Sequence, residues 1–143
     1  MCAQQTLVAF KPDAIENAVV GQILSRFENE GLQVHEMKTV DVSDELLERH
    51  YNEHVGESYY PGLVEYMQER PVIACLLEGE DAVSRVRELL GDTDPAVAEP
   101  GTIRGDFGSD SFTEADRDGR AVRNLVHASA TTDEAEKEIE LWF

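Results

Sequence analysis

Val72-Ile73-Ala74-Cys75-Leu76-Leu77 is an unbroken apolar run of strand length, and a strand without polar alternation is one buried on both faces of a sheet. This reading puts the segment at the centre of the sheet and arranges the rest around it. Downstream, residues 81–90 place Val83, Val86, Leu89 and Leu90 on the inward side of a helix that stops at Gly91. Upstream, Tyr60-Pro61-Gly62 starts a short helix, with Pro61 at its first position, carrying Leu63, Val64, Tyr66 and Met67.

Farther out, residues 5–10 form a short buried strand through Leu7, Val8 and Phe10, broken by Lys11-Pro12-Asp13. Val20, Ile23, Leu24 and Phe27 recur at i, i+3, i+4 and i+7, which predicts an amphipathic helix over 18–30 closed by Gly31. Residues 32–41 alternate loosely and predict a strand with one wet face. Ser43 caps a helix running to about His54, with Asp44 and Glu45 in its first turn. From 92 to 120 regular pattern disappears, and an irregular stretch of that length in a small domain usually carries function or disorder. A last strand is expected around 124–127, and Thr131 with Glu134 makes a capping box for the final helix. The order β-α-β-α-α-β-α-loop-β-α predicts an α/β (α+β) fold, a ferredoxin-like βαββαβ antiparallel sheet covered by helices, in a single domain over 1–143.

The 143 residues hold 30 Asp and Glu against 12 Lys and Arg, a formal net charge of -18. Such a field repels polyanions, so neither nucleic acid nor an anionic membrane surface is expected as a partner. No apolar stretch is long enough for a transmembrane helix, and no signal peptide is expected at the N-terminus. Two cysteines, Cys2 and Cys75, make no disulfide framework, which fits a reducing cytoplasm. Only Lys11, Lys38 and Lys137 are lysines. A lysine-poor acidic surface repels itself until molar salt shortens the Debye length to roughly 3 Å. A salt-rich cytoplasm accounts for this balance; an acidic mesophilic protein is the other reading.

Three constellations carry chemistry. His127 closes Asn124-Leu125-Val126-His127, and a helix folded back over that strand brings Glu138 to its ring. A neutral imidazole with its second nitrogen held by an acceptor is a nucleophile; the alternative is a structural histidine. Lys11, Arg87 and Arg104, with Arg85 and Arg123 nearby, are cations in a chain nearly stripped of them. They suggest an anion site or, failing that, surface ion pairs. His50-Tyr51-Asn52-Glu53-His54 matches H-x-x-E-H, in which two histidines one turn apart share zinc, but no further Cys or His follows nearby to complete a site.

Five blocks, in order, bear a further resemblance: Lys11-Pro12-Asp13; Tyr59-Tyr60-Pro61-Gly62-Leu63-Val64; Pro100-Gly101-Thr102-Ile103-Arg104-Gly105-Asp106-Phe107; Arg123-Asn124-Leu125-Val126-His127-Ala128-Ser129; and Glu136-Lys137-Glu138-Ile139-Glu140-Leu141-Trp142-Phe143. Together they resemble the nucleoside diphosphate kinase family over essentially the whole chain.

The resemblance implies that His127 accepts the γ-phosphoryl group of ATP or another nucleoside triphosphate and passes it to a nucleoside diphosphate, in ping-pong fashion. By the same match Glu138 holds the non-attacking nitrogen of His127, and Ser129 sits beside both. Arg87, Thr93 and Arg104 bind phosphate, Lys11 and Asn124 bind the ribose hydroxyls, with Lys11 also near the transferred phosphate, and Tyr51 supports Lys11. Tyr59 stacks on the base and Leu63 lines that slot. Mg²⁺ rides on the nucleotide phosphates without protein ligands of its own. A homo-oligomer is implied, a hexamer first and a tetramer or dimer otherwise. Two departures stand out. Ala128-Ser129-Ala130-Thr131 replaces the usual Gly-Ser-Asp-Ser, so the turn after the histidine is expected to differ. Residues 108–120 are about ten longer than the family's usual connection; either Ala121 or Val122 covers the second face of the base, or Phe112 replaces it, or the loop serves assembly.

Overall fold

Four antiparallel strands lie in the order β2-β3-β1-β4 in the computed structural model, which describes residues 3–143 and so leaves Cys2 outside. β1 (Ala3–Phe10) and β3 (Val72–Glu80) are the central pair, in register at Val8 and Cys75. β2 (Gln33–Val40) pairs with the far edge of β3 through an irregularity at Val34 and Glu36. β4 (Val126–Ala128) pairs with β1, Ala9 opposite His127. Because β3 is antiparallel to both neighbours, β1 and β2 run parallel with β3 between them: a split βαβ, as the element order predicts.

Alternation along β1 divides the interior in two. Val8 and Phe10 point to one face, where α2 (Val20–Asn29) and α5 (Ala82–Leu90) bury Ile23, Phe27, Val86 and Leu90. Leu7 points to the other, packed with Leu47 of α3 (Asp44–His50), Met67 of α4 (Tyr60–Met67) and Trp142 of α8 (Thr132–Trp142). Burying a large apolar side chain contributes about 1.5–3 kcal/mol, so both layers are needed. Val72, Ala74, Cys75 and Leu77 are completely buried, as the apolar run predicts. Burial pushes the Cys75 thiol up to about 12, with Glu28 adding to it, so this cysteine is a core residue.

Several elements differ from expectation. Lys11-Pro12-Asp13 does not simply end β1; it opens a five-residue helix, α1 (Pro12–Glu16), because Pro12 sits at a first-turn position where its missing N–H costs nothing. The helix expected over 43–54 ends at His50, and a 3₁₀ turn (Asn52–His54) follows, with Tyr51 out of helical conformation at φ -107°. β2 has no fully buried residue where one dry face is expected; only Val34 and Val40 are half-buried, each against one of the two cores. The stretch 92–120 contains α6 (Ile103–Phe107) and α7 (Phe112–Asp118). Both are too short for an apolar period to show. Their signals are chemical: Thr102 Oγ1 accepts from Gly105 N, Ser111 Oγ accepts from Glu114 N, and left-handed Gly119 closes α7.

Candidate active site

β4 is only three residues long, and what holds it also builds the site. Lys11, one residue beyond β1, donates its backbone N–H to Leu125 O at 2.8 Å and its ammonium to Asn124 Oδ1 at 2.8 Å. Asn124 in turn donates from Nδ2 to Thr93 O at 3.0 Å. Arg104 reaches the same strand from α6: Nε donates to Asn124 O (3.2 Å), NH2 to Val126 O (2.7 Å) and NH1 to Gly91 O (3.3 Å). Two of its five N–H groups remain for a ligand. Gly105 lets α6 sit this close, for a Cβ there would lie 2.1 Å from Glu99 O. Arg87 of α5 donates to Ala128 O at 3.4 Å.

These cations repel one another. Burial, and then Arg104, lower the Lys11 pKa to about 8; burial, and then Arg87, lower Arg104 to about 10. Two buried cations, Lys11 and Arg104, held against desolvation and repulsion, with the exposed Arg87 beside them, suit an anion better than they suit scattered surface pairs. Arg85 and Arg123 lie outside this group: Arg85 donates to Glu80 O (3.2 Å), and Arg123 lies 4.8 Å over the Tyr66 ring.

His127 donates from Nε2 to Glu138 Oε1 at 2.9 Å, and the Ser129 hydroxyl donates to the same oxygen at 2.6 Å. Burial opposes the Glu138 charge, but these bonds and the neighbouring His127 and His50 outweigh it, so its pKa falls below the usual carboxylate value. The arrangement assigns the His127 proton to Nε2 and leaves the Nδ1 lone pair free to attack. The turn after His127 is not distorted by Ala128. β4 runs through it, Ser129 N donates to Leu7 O at 3.2 Å, and the positive φ falls instead on Leu125, at 73°.

His50 and Trp142 belong to this centre, and sequence reasoning missed them. The Trp142 indole donates to His50 Nδ1 at 3.1 Å, and the His50 ring stands edge-on to His127 with centroids 4.3 Å apart. Burial and the neighbouring His127 drop the His50 pKa to about 3, so it stays neutral. The H-x-x-E-H pattern flagged the residue for the wrong chemistry. With α3 ending at His50, its partner His54 does not lie one helical turn away and pairs with the Tyr59 hydroxyl instead. Among the described residues the one metal-type grouping is His50, His127 and Glu138. Two nitrogens and a committed carboxylate do not suit a hard oxygen-seeking cation.

Beside the cations lies a slot of about 360 Å³ bounded by Lys11, Tyr51, Tyr59, Leu63, Thr93 and Asn124, and by Phe112, Ala115 and Asp116 of α7. His127 and Glu138 line the adjoining cleft, which shares Tyr51 and His54 with the slot. The buried Tyr51 hydroxyl has no hydrogen-bond partner among the described residues, so Lys11 is held by Asn124 and not by Tyr51.

A histidine with one nitrogen fixed, on a strand gripped by confined cations and next to a nucleoside-sized slot, places the chain among phosphotransferases that act on nucleotides through histidine. The model of the nucleoside diphosphate kinase family matches residues 4–143, and the chain belongs to that family. It is 44% identical over 140 residues to the nucleoside diphosphate kinase of Saccharomyces cerevisiae, covering 98% of this chain and 85% of the relative. A nucleoside-diphosphate kinase from Borrelia burgdorferi with bound vanadate and ADP superposes with a TM-score of 0.92 at 36% identity, over 99% of this chain and 87% of the other. A halophilic nucleoside diphosphate kinase from Halobacterium salinarum in complex with CDP gives 0.86 at 38% identity, over 99% and 88%. The activity is therefore transfer of the γ-phosphoryl group from a nucleoside triphosphate to a nucleoside diphosphate, by the family's ping-pong route through a phosphohistidine.

Proposed function

We propose that His127 is the residue phosphorylated in that reaction, a reading carried by the 2.9 Å bond between its Nε2 and Glu138 Oε1. The donor's triphosphate enters between Lys11, Arg87 and Arg104, with Thr93 beside it. His127 Nδ1 attacks the γ-phosphorus, an N–P bond forms, and the bond to the β-phosphate oxygen breaks. The imidazolium charge that develops is stabilised by Glu138, itself held by Ser129, while the proton stays on Nε2. The nucleoside diphosphate leaves; an acceptor diphosphate binds in the same place, and its terminal oxygen takes the phosphoryl group back. Mg²⁺, when bound, offsets phosphate charge. Tyr51 lines the nucleotide slot, Lys11 and Asn124 hold the ribose, and Tyr59 and Leu63 take the base. A stacking slot tolerates any base, so substrate use is broad.

The reading extends to one functional unit over 1–143, working in the cytoplasm as a homo-oligomer, a hexamer before a tetramer or dimer. The unpaired β2 edge, with Met37 half exposed, supports self-association. The -18 charge supports a halophilic protein whose assembly depends on salt. No described helix is long and apolar enough to cross a membrane.

The test is intact mass after mixing with ATP and Mg²⁺, in low and in molar salt, followed by GDP. An acid-labile gain of one phosphate, lost on adding GDP and absent from His127→Ala, is the expected result. Bound nucleotide without a covalent adduct in either salt would make this a binding protein on the same fold.

A further inference from the structure

The helix α7 lies within the long connection 108–120 and is built against the site, not away from it. Phe112, Ala115 and Asp116 stand at i, i+3 and i+4, one face of the helix, and all three line the nucleoside-sized slot. Tyr59 and Leu63, from the start of α4, line the same slot. Phe112 is 44% exposed, a large ring left partly bare on a helix whose only buried residue is Ala115.

The helix is also anchored. Asp110 accepts from Arg120 through both carboxylate oxygens, at 2.6 and 3.0 Å, and from Arg123 N at 2.7 Å. Arg123 is the residue before Asn124, so the two ends of the α7 segment are tied to each other and to the chain leading into β4.

We propose that α7 supplies the second wall of the base slot, with the Phe112 ring stacking on the face of the base opposite Tyr59. The proposal rests on the nucleotide reading above and adds to it the residue that neither Ala121 nor Val122 need provide. Aromatic rings on both faces bind the larger π surface of a purine more strongly than a pyrimidine. The enzyme therefore favours purine diphosphates, and the preference resides in α7.

The experiment is calorimetric binding of GDP, CDP and base-free ribose 5-diphosphate to the full-length wild type, Phe112→Ala and Phe112→Tyr. Phe112 is exposed, so neither substitution removes core packing. Expected is a roughly ten-fold loss of GDP affinity in Phe112→Ala, a smaller loss for CDP, no change for ribose 5-diphosphate, and recovery in Phe112→Tyr. Wild-type GDP affinity in Phe112→Ala would overturn the proposal while leaving the kinase reading intact. Equal losses for GDP and ribose 5-diphosphate would overturn it too, showing that Phe112 supports the phosphate site and does not touch the base. If the wild type bound none of the three ligands, both readings would fall together.

Discussion

Asp13 accepts the backbone N–H of Leu125 on Oδ2 at 3.0 Å, and through that bond a residue of α1 holds the strand bearing His127. Leu125 has φ 73°, a left-handed conformation that costs a non-glycine residue about 1–3 kcal/mol. Its carbonyl is held by Lys11 N and its side chain is buried, so the strained residue is restrained on three sides. The Tyr66 hydroxyl donates to the other oxygen of Asp13 and receives Asp13 N at 2.9 Å. Asp13→Ala should lower stability by about 1.5–3 kcal/mol and slow His127 phosphorylation more than it raises KM. Thermal unfolding and rapid-quench phosphorylation measure the two effects. Unchanged phosphorylation at full saturation would assign Asp13 to the fold alone.

The His127–Glu138 pair gives a sharper test. His127→Ala removes the nucleophile and should abolish transfer while the melting temperature stays near that of the wild type. Glu138→Gln keeps an acceptor for Nε2 but loses the charge facing the imidazolium, and about a 100-fold fall in kcat is expected. Steady-state assays of ATP with a diphosphate acceptor would show it.

Arg104 and Arg87 should part company. Arg104 is 4% exposed and grips three carbonyls, so Arg104→Ala removes three hydrogen bonds, leaving Asn124 O only its bond from Val126 N, and costs about 3 kcal/mol of stability, together with phosphate affinity. Arg87 is exposed with one long bond, so Arg87→Ala should weaken nucleotide binding and move stability by no more than about 0.5 kcal/mol. Urea unfolding beside nucleotide titration separates them.

Lys11 makes phosphate binding depend on pH. Its folded-state pKa is about 8 instead of 10.5, so between those values Lys11 of the empty site is largely uncharged, Arg104 and Arg87 keeping most of the site's charge, and an arriving phosphate draws a proton onto Lys11. Affinity should be flat below pH 7 and fall as pH rises through about 8. Calorimetry at pH 9 in buffers of different ionisation enthalpy should report proton uptake, and Lys11→Met should remove it.

The charge of -18 predicts a response to salt. Moving from 0.1 M to 1 M shortens the Debye length from roughly 10 Å to 3 Å, and the melting temperature should rise by roughly 5 °C or more. Sedimentation over the same range should show growth in assembly size. A melting temperature that falls or stays level would mark the protein as acidic but not halophilic.

Periodicity in the sequence determined the central strand β3 and the helices α2 and α5, because each buries a regular face whose spacing is written in consecutive residues. Cap chemistry determined the start of α8, where Thr131 Oγ1 accepts from Glu134 N, although the Glu134 carboxylate turns to Ala130 N. The family blocks singled out His127, Glu138, Lys11, Asn124 and Arg104 as candidates, and the fold brings them to the two ends of one strand. Only the tertiary structure decided how they act. Whether Arg104 binds ligand or strand, which nitrogen of His127 is free, and that Trp142 reaches His50 across 92 residues depend on how β4 is wedged between β1, α6 and α8. The left-handed Leu125 and the placing of α7 against the slot share that origin. Local sequence sets backbone preference within a turn or two, whereas these features arise from contacts between segments far apart in the chain, whose geometry exists only once the sheet has closed.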